Sequence, residues 1–321
     1  AGVGTSGGTI AFGVSENNFL GRGVEFSSDI SLSAETLKGL ISLNNPNYKG
    51  SNRSLNTTLE STTTDRLKDF GYKSNKTGFS VGSGFEFYDD LYWNTGISSY
   101  IDKLETNSSA SATMKKQEGS YFDSFYNQTF SYDKRNQRYK TTNGFISRFS
   151  QNIPIISDTY TFTNSYDYKT YNQWLGENIA SLGFYLKSTN SLNGKDVKLS
   201  ERLYLPASKL RGFEAGKVGP KDGSSFIGGN YTSSVNIATT LPQVLPSLQN
   251  TNFSLFFDAA NIWGVDYSSS LANESKIRSS IGIAVDFYTP VGPLNFSLSE
   301  VITKGSNDKI EAFRFNLGTT F

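Results

Sequence analysis

Apolar and polar residues alternate along most of this chain with a period of two. In Gly8-Thr9-Ile10-Ala11-Phe12-Gly13-Val14-Ser15, Ile10, Phe12 and Val14 share a face and small or polar residues hold the other. Phe79, Val81, Phe85 and Phe87 oppose Ser80, Gly82, Gly84 and Glu86, and Phe253, Leu255 and Phe257 oppose Asn252, Ser254 and Asp258. Ile281, Ile283, Val285 and Phe287 repeat the pattern, and Phe313, Phe315, Leu317, Thr319 and Phe321 end the chain with it. Successive strand residues point to opposite faces, so this period predicts strands with one apolar face. The stretches run to about ten residues each and close on Asn, Gly, Asp or Ser, with no helical segment between them.

Two architectures make such a pattern. A soluble sandwich turns its apolar faces toward each other, whereas a membrane barrel turns them to lipid and its polar faces to a wet lumen. The second face here carries Gly, Ser, Asn, Thr and single charges, and aromatics such as Tyr88, Tyr92, Trp93, Tyr160, Tyr168 and Tyr288 sit near strand ends, as interfacial girdles require. The expected fold is therefore all-β, a transmembrane antiparallel barrel of about sixteen strands. The expected spans are 8–15, 22–33, 35–43, 52–63, 77–87, 91–104, 109–117, 120–134, 144–153, 159–170, 178–190, 228–240, 251–260, 277–288, 293–302 and 310–321. The seventh is short and polar; without it the count is fourteen. Either even number places both termini at one end, the periplasmic one.

Composition removes whole classes of chemistry. Among 321 residues there is no Cys and no His, which excludes disulfides, zinc-thiolate sites, thiol nucleophiles, Ser-His triads and imidazole ligands. A net charge of +1 gives no field to draw in nucleic acid. Aromatics reach 14% while all hydrophobics make up 36%, so the chain is poor in apolar mass yet far too rich in rings to be disordered. Gly2-Val3-Gly4-Thr5-Ser6-Gly7 fits a glycine-rich nucleotide fingerprint, but no strand precedes it and no helix follows.

One connection stands apart. About 37 residues separate Ser191 from Ile227, carrying Lys195, Lys198, Arg202, Lys209, Arg211, Lys217 and Lys221, and loops of that length are usually functional. Within it lies Leu210-Arg211-Gly212-Phe213, followed by Gly216, Gly219-Pro220 and Asp222, and then by Gly228-Gly229-Asn230. This resembles the sixth loop of the BamA family, the barrels of the bacterial outer-membrane assembly machinery. The likeness extends over the chain. Asn18-Phe19-Leu20-Gly21-Arg22-Gly23 is similar to the family's first external turn, and Tyr132-Asp133-Lys134 with Asn143-Gly144 to the flanks of its turn after strand eight. Phe256-Phe257-Asp258 with Asn261-Ile262-Trp263 is similar to its thirteenth strand, and Pro290-Val291-Gly292-Pro293-Leu294 to its turn before strand fifteen. Phe321 ends a strand of the kind that serves these barrels as a targeting signal.

The resemblance implies that the long loop folds into the lumen. An Arg inside a barrel is costly unless paired, and its planar fork suits a carboxylate. Alternation puts Asp258 on the lumen face, where the family places an acidic partner, so an Arg211–Asp258 pair is expected, with Gly212 allowing close passage and Phe213 wedged against the wall. The family's second lumen Glu falls on Ala238 here, which leaves Asp286 or Glu214 as substitutes. The resemblance further implies a seam between first and last strands, here Gly8, Thr9, Ile10, Ala11, Phe12 and Gly13 against Phe313, Phe315, Leu317, Gly318 and Phe321. Glycines weaken a strand and expose its backbone, so such a closure could open.

The function so implied is non-enzymatic and cofactor-free: an insertase in the outer membrane of a Gram-negative bacterium that templates other β-barrels at its seam. Its partners would be unfolded barrel clients, outer-membrane lipid and lipopolysaccharide, and the Bam lipoproteins through periplasmic POTRA domains. Residues 1–321 are expected to be one barrel domain, with POTRA domains outside this sequence. The alternative is a translocation pore of the same superfamily, TamA-like or a two-partner secretion transporter, or else a general porin.

Overall fold

The computed structural model describes residues 1–5, 7–138, 140–241, 251–266, 271, 274–289 and 292–318. Sixteen antiparallel strands close into a barrel. They are β1 (Gly2–Gly4), β2 (Gly7–Phe19), β3 (Val24–Ser33), β4 (Thr36–Asn45), β5 (Ser54–Arg66) and β6 (Tyr72–Tyr88). β7 (Leu91–Thr106), β8 (Gly119–Asp133), β9 (Gly144–Ser157), β10 (Thr161–Leu175) and β11 (Asn178–Ser191) form the far wall. After the long loop come β12 (Tyr231–Thr240), β13 (Thr251–Trp263), β14 (Arg278–Thr289), β15 (Gly292–Thr303) and β16 (Phe313–Gly318). Closure pairs every strand with two neighbours, which is the condition for placing strands in hydrocarbon.

The alternation sorts the side chains as a lipid-facing barrel requires. Phe12 is 74% exposed on the outside, and Val14, Ile30, Leu32, Leu59, Phe79, Ile97, Ile281 and Leu298 are exposed with it. Trp93 stacks flat on Phe130 with ring centroids 5.7 Å apart and meets Phe85 and Phe87 edge-on, one dense sector of an aromatic girdle. Inside, Ser98, Asp102, Asp123, Ser234, Asp258, Ser280, Ser297 and Arg314 are buried. Among the described residues, buried apolar side chains gather in two clusters where the loop enters. One cluster joins Tyr72 and Leu104 of the wall, with Phe70, Ala110 and Met114 of the connections beside them, to Leu199, Phe226 and Ile227 of the loop. A second joins Leu205, Leu210, Phe213 and Val218 of the loop to Ala260 and Ile262 of β13.

The strand count matches expectation, but two of its members differ. Residues 109–117 form no strand. Ser111 caps a single helical turn, α1 (Ala112–Lys115), by accepting the Met114 N–H at 3.2 Å, within the connection from β7 to β8. The missing strand is supplied by Gly2–Gly4, so expected strands one to six are β2 to β7, and numbering agrees again from β8 onward. This shift has two consequences. The strand beside β16 is β1, with Gly2, Val3 and Gly4 facing Gly318, Leu317 and Asn316. Gly8–Gly13 belongs to β2 and does not pair with β16; there Gly7, Gly8 and Thr9 face Gly4, Val3 and Gly2. The turn at Asn18–Gly23 therefore joins β2 to β3 at the end of the barrel that holds both termini, opposite the long loop, and is not an external turn. Pro290 and Val291, between β14 and β15, and Phe321 lie outside the described residues.

Candidate functional site

The long connection runs from β11 to β12 and fills the loop end of the lumen. At its centre Arg211 grips Asp258 of β13 with both arms of its fork, Nε to Oδ2 at 2.7 Å and Nη2 to Oδ1 at 2.8 Å. The Arg211 backbone N–H adds a third bond to Oδ2 at 3.1 Å. Asp258 is fully buried, so this geometry offsets the cost of keeping a carboxylate out of water. The guanidinium also lies 3.5 Å over the Phe256 ring, two residues along the same inward face.

The supporting groups are not those expected. Asp286 accepts from Asn295, and Glu214 pairs with Lys217; neither meets Arg211. Asn236 of β12, directly across from Asp258, donates to its Oδ1 at 2.8 Å and to the Lys209 carbonyl at 2.9 Å. Ala238 faces Phe256. Ser280 of β14 donates to the Arg211 carbonyl at 2.6 Å. Gly212 has φ +88°, and a Cβ there would sit 3.2 Å from the Cβ atoms of both Ser280 and Ser299, so a side chain is resisted by conformation and by space together. Phe213 is 1% exposed within the second cluster.

The motif is also joined to the approach to β16. Gly212 and Phe213 pair with Glu311 and Ile310. Arg278, at the start of β14, pairs with Asp308 at 2.8 Å, and Asp308 accepts the Gly219 N–H at 3.0 Å. Of the seam residues, Phe313 stacks outside with Phe296 and Phe315 at 6.3 and 6.4 Å, and the Thr5 N–H reaches the Phe315 carbonyl at 3.0 Å.

A second fixing stands on the far wall. Lys198, at the start of the loop and 3% exposed, places Nζ 3.0 Å from both Asp102 of β7 and Asp123 of β8, and 3.7 Å from Glu201. Ser74 and Ser200 donate to Asp102, and Ser157 and Thr159 to Asp123. Burial alone would lower the Lys198 ammonium, but Glu201, Asp102 and Asp123 hold it above the usual lysine range. Burial pushes the Glu201 carboxyl above its usual range despite Lys198 beside it. Four residues on, Arg202 binds Asp266, which also accepts the Val197 N–H and the Asn230 amide at 3.0 Å each. Sequence reading missed Lys198. The available signal was two isolated acids on inward positions of neighbouring strands, which demand a cation from elsewhere.

The loop thus spans the lumen between two buried ionic fixings, and it does so inside a barrel whose residues 18–321 match the Omp85 superfamily domain. The chain belongs to the Omp85 superfamily. Among Omp85 relatives, it is 24% identical to the outer membrane protein assembly factor BamA of Neisseria meningitidis serogroup B, over 96% of this chain and 44% of that protein. It is 23% identical to BamA of Neorickettsia risticii, over 78% of this chain and 34% of that protein. The crystal structure of BamA from Haemophilus ducreyi lacking POTRA domains 1–3 superposes with a TM-score of 0.88 at 24% identity, covering all of this chain and 69% of that one. The chain therefore spans about a third to less than half of the curated relatives it matches. As an Omp85 barrel of this kind it is a multi-pass protein of the outer membrane.

Proposed function

We propose that this chain is the barrel of an outer-membrane protein assembly factor, which helps unfolded β-barrel clients fold and insert. The observation that carries the reading is the Arg211–Asp258 clasp, which holds the Arg-Gly-Phe loop inside the lumen of a barrel similar to proteins named as assembly factors. A loop pinned across the lumen leaves little room for bulk flow and places the working surface at the barrel's edge. The β1–β16 seam is that surface: an edge strand offers unpaired N–H and C=O groups, and each such group costs several kcal/mol when left alone in hydrocarbon, so a template lowers the barrier to insertion. Partners on this reading are unfolded clients, surrounding lipid and lipopolysaccharide, and Bam lipoproteins docked on POTRA domains of the full-length protein. Assembly of this kind moves no covalent bond.

The test places one Cys at Val3 of the full-length protein and single Cys residues along a client's C-terminal strand. A register-specific disulfide, together with faster client insertion into lipid vesicles, supports the assembly reading. In a second variant that adds Cys at Leu317, bridging within its own barrel alone, with vesicles that pass solutes or a secreted chain, replaces it with a conduit.

A further inference from the structure

Arg314 sits on the inward face of β16 and reaches out of its own strand into the loop. It is 7% exposed, and all three guanidinium nitrogens are engaged. Nη1 donates to the Ala207 carbonyl at 2.9 Å, Nη2 to the Phe213 carbonyl at 2.5 Å, and Nε to the Glu311 carboxylate at 2.6 Å. Two loop carbonyls six positions apart are thus bridged by one planar fork, a geometry that neither Lys nor Gln reproduces. The backbone alongside is joined in the same sense: the Glu214 N–H donates to the Lys309 carbonyl and the Lys309 N–H to the Lys217 carbonyl, each at 3.0 Å.

The loop that receives Arg314 is itself immobilised twice, at Lys198 on β7 and β8 and at Arg211 on β13. Polar contacts at Arg314, Arg211 and Lys198, joined by the loop chain between them, therefore link the last strand to the opposite wall of the barrel. We propose that Arg314 is the positioning residue that couples the lumen loop to the seam, so that the braced loop holds β16 in the closed barrel and loss of the Arg314 contacts lets the β16–β1 edge part. The purpose of such a brace rests on the assembly reading above; the coupling itself involves no client.

These 321 residues hold no Cys, so pairs introduced within them give a direct test in full-length protein held in membrane vesicles. V3C with L317C, which face each other across the seam, report its closure, and V81C with I97C, which face each other between β6 and β7, report the far wall. Under limiting oxidant, R314Q is expected to slow bridging at the seam roughly tenfold, the size of losing hydrogen bonds to a charged donor, and to leave far-wall bridging unchanged. R314K is expected to fall between the two. Unchanged bridging at the seam overturns the coupling, and equal slowing at both pairs also overturns it by making Arg314 a general packing residue. Client insertion on the same vesicles judges the assembly reading separately: slowed seam bridging with insertion unaltered supports the coupling and removes that reading.

Discussion

At one fixing of the loop a single ammonium serves two buried carboxylates; at the other a guanidinium serves one. Lys198 is a compact charge with three donors, and Asp102 and Asp123 lie at equal distance from it. Arg211 commits its fork to Asp258 and completes the contact with its own backbone N–H. An ammonium can be shared because it has no plane to satisfy, whereas a guanidinium gains most from one well-aligned partner. The two fixings should therefore fail differently.

Lys198→Met is expected to have the larger effect, because it leaves two carboxylates buried without a cation. Breaking one buried pair costs about 3–5 kcal/mol, and this change reaches the top of that range or beyond, only partly offset by the four hydroxyls around Asp102 and Asp123. Protease cleavage through the start of the loop should rise sharply and the barrel should lose its heat-modified mobility on gels at lower temperature; parent-like behaviour in both would remove Lys198 as a fixing. Arg211→Ala comes next, at about 3 kcal/mol, since Asp258 keeps the Asn236 amide. Cleavage should then rise within residues 205–222 while Lys198 still holds the start of the loop. Cleavage spread evenly over the loop would mean that the two fixings are one unit.

Gly212→Ala is a smaller step of about 1–3 kcal/mol, from a positive φ and a Cβ pressed between Ser280 and Ser299. It should weaken the Arg211 side alone, measured by the same cleavage pattern. The smallest effect is a pH dependence at Asp266. Burial works against its charge, but Arg202, the Val197 N–H and Asn230 hold the carboxyl below its usual range. A lowered carboxyl contributes stability that is in place above the usual aspartate range and is lost as pH falls through the lowered value. Loop protection should hold from neutral pH down to about pH 4 and fall only below it. Loss already near neutral pH would show that Asp266 does not hold Arg202.

How much of this was legible depended on how local each signal was. Strand faces were readable because burial repeats every second residue, and that same rule placed Asp258 inward. Arg211-Gly212-Phe213 was readable as a motif, and its partner followed from the alternation. Lys198 was not: its partners lie on β7 and β8, far away in sequence, and only the three-dimensional register sets them side by side. Asn236 was passed over for Ala238 because one step of two along β12 decides which residue faces Asp258. Residues 109–117 alternate weakly enough to pass for a strand, but Ser111 satisfies the first turn of a helix locally and removes the need for a sheet partner. Gly2–Gly4 was overlooked because three residues with one apolar side chain carry no periodicity.

One methionine serves the whole chain, and Met114 is fully buried in a cluster with Phe70, Tyr72 and Leu104 on the barrel side and Leu199, Phe226 and Ile227 of the loop. Its Cε methyl therefore stands at the boundary between scaffold and insert, ringed by aromatic currents. In a methyl-labelled sample these 321 residues would give one methionine resonance, shifted by those rings while the loop is seated and collapsing toward its free-chain position once the loop leaves. The fold has built its own single-line spectroscopic gauge of lumen occupancy.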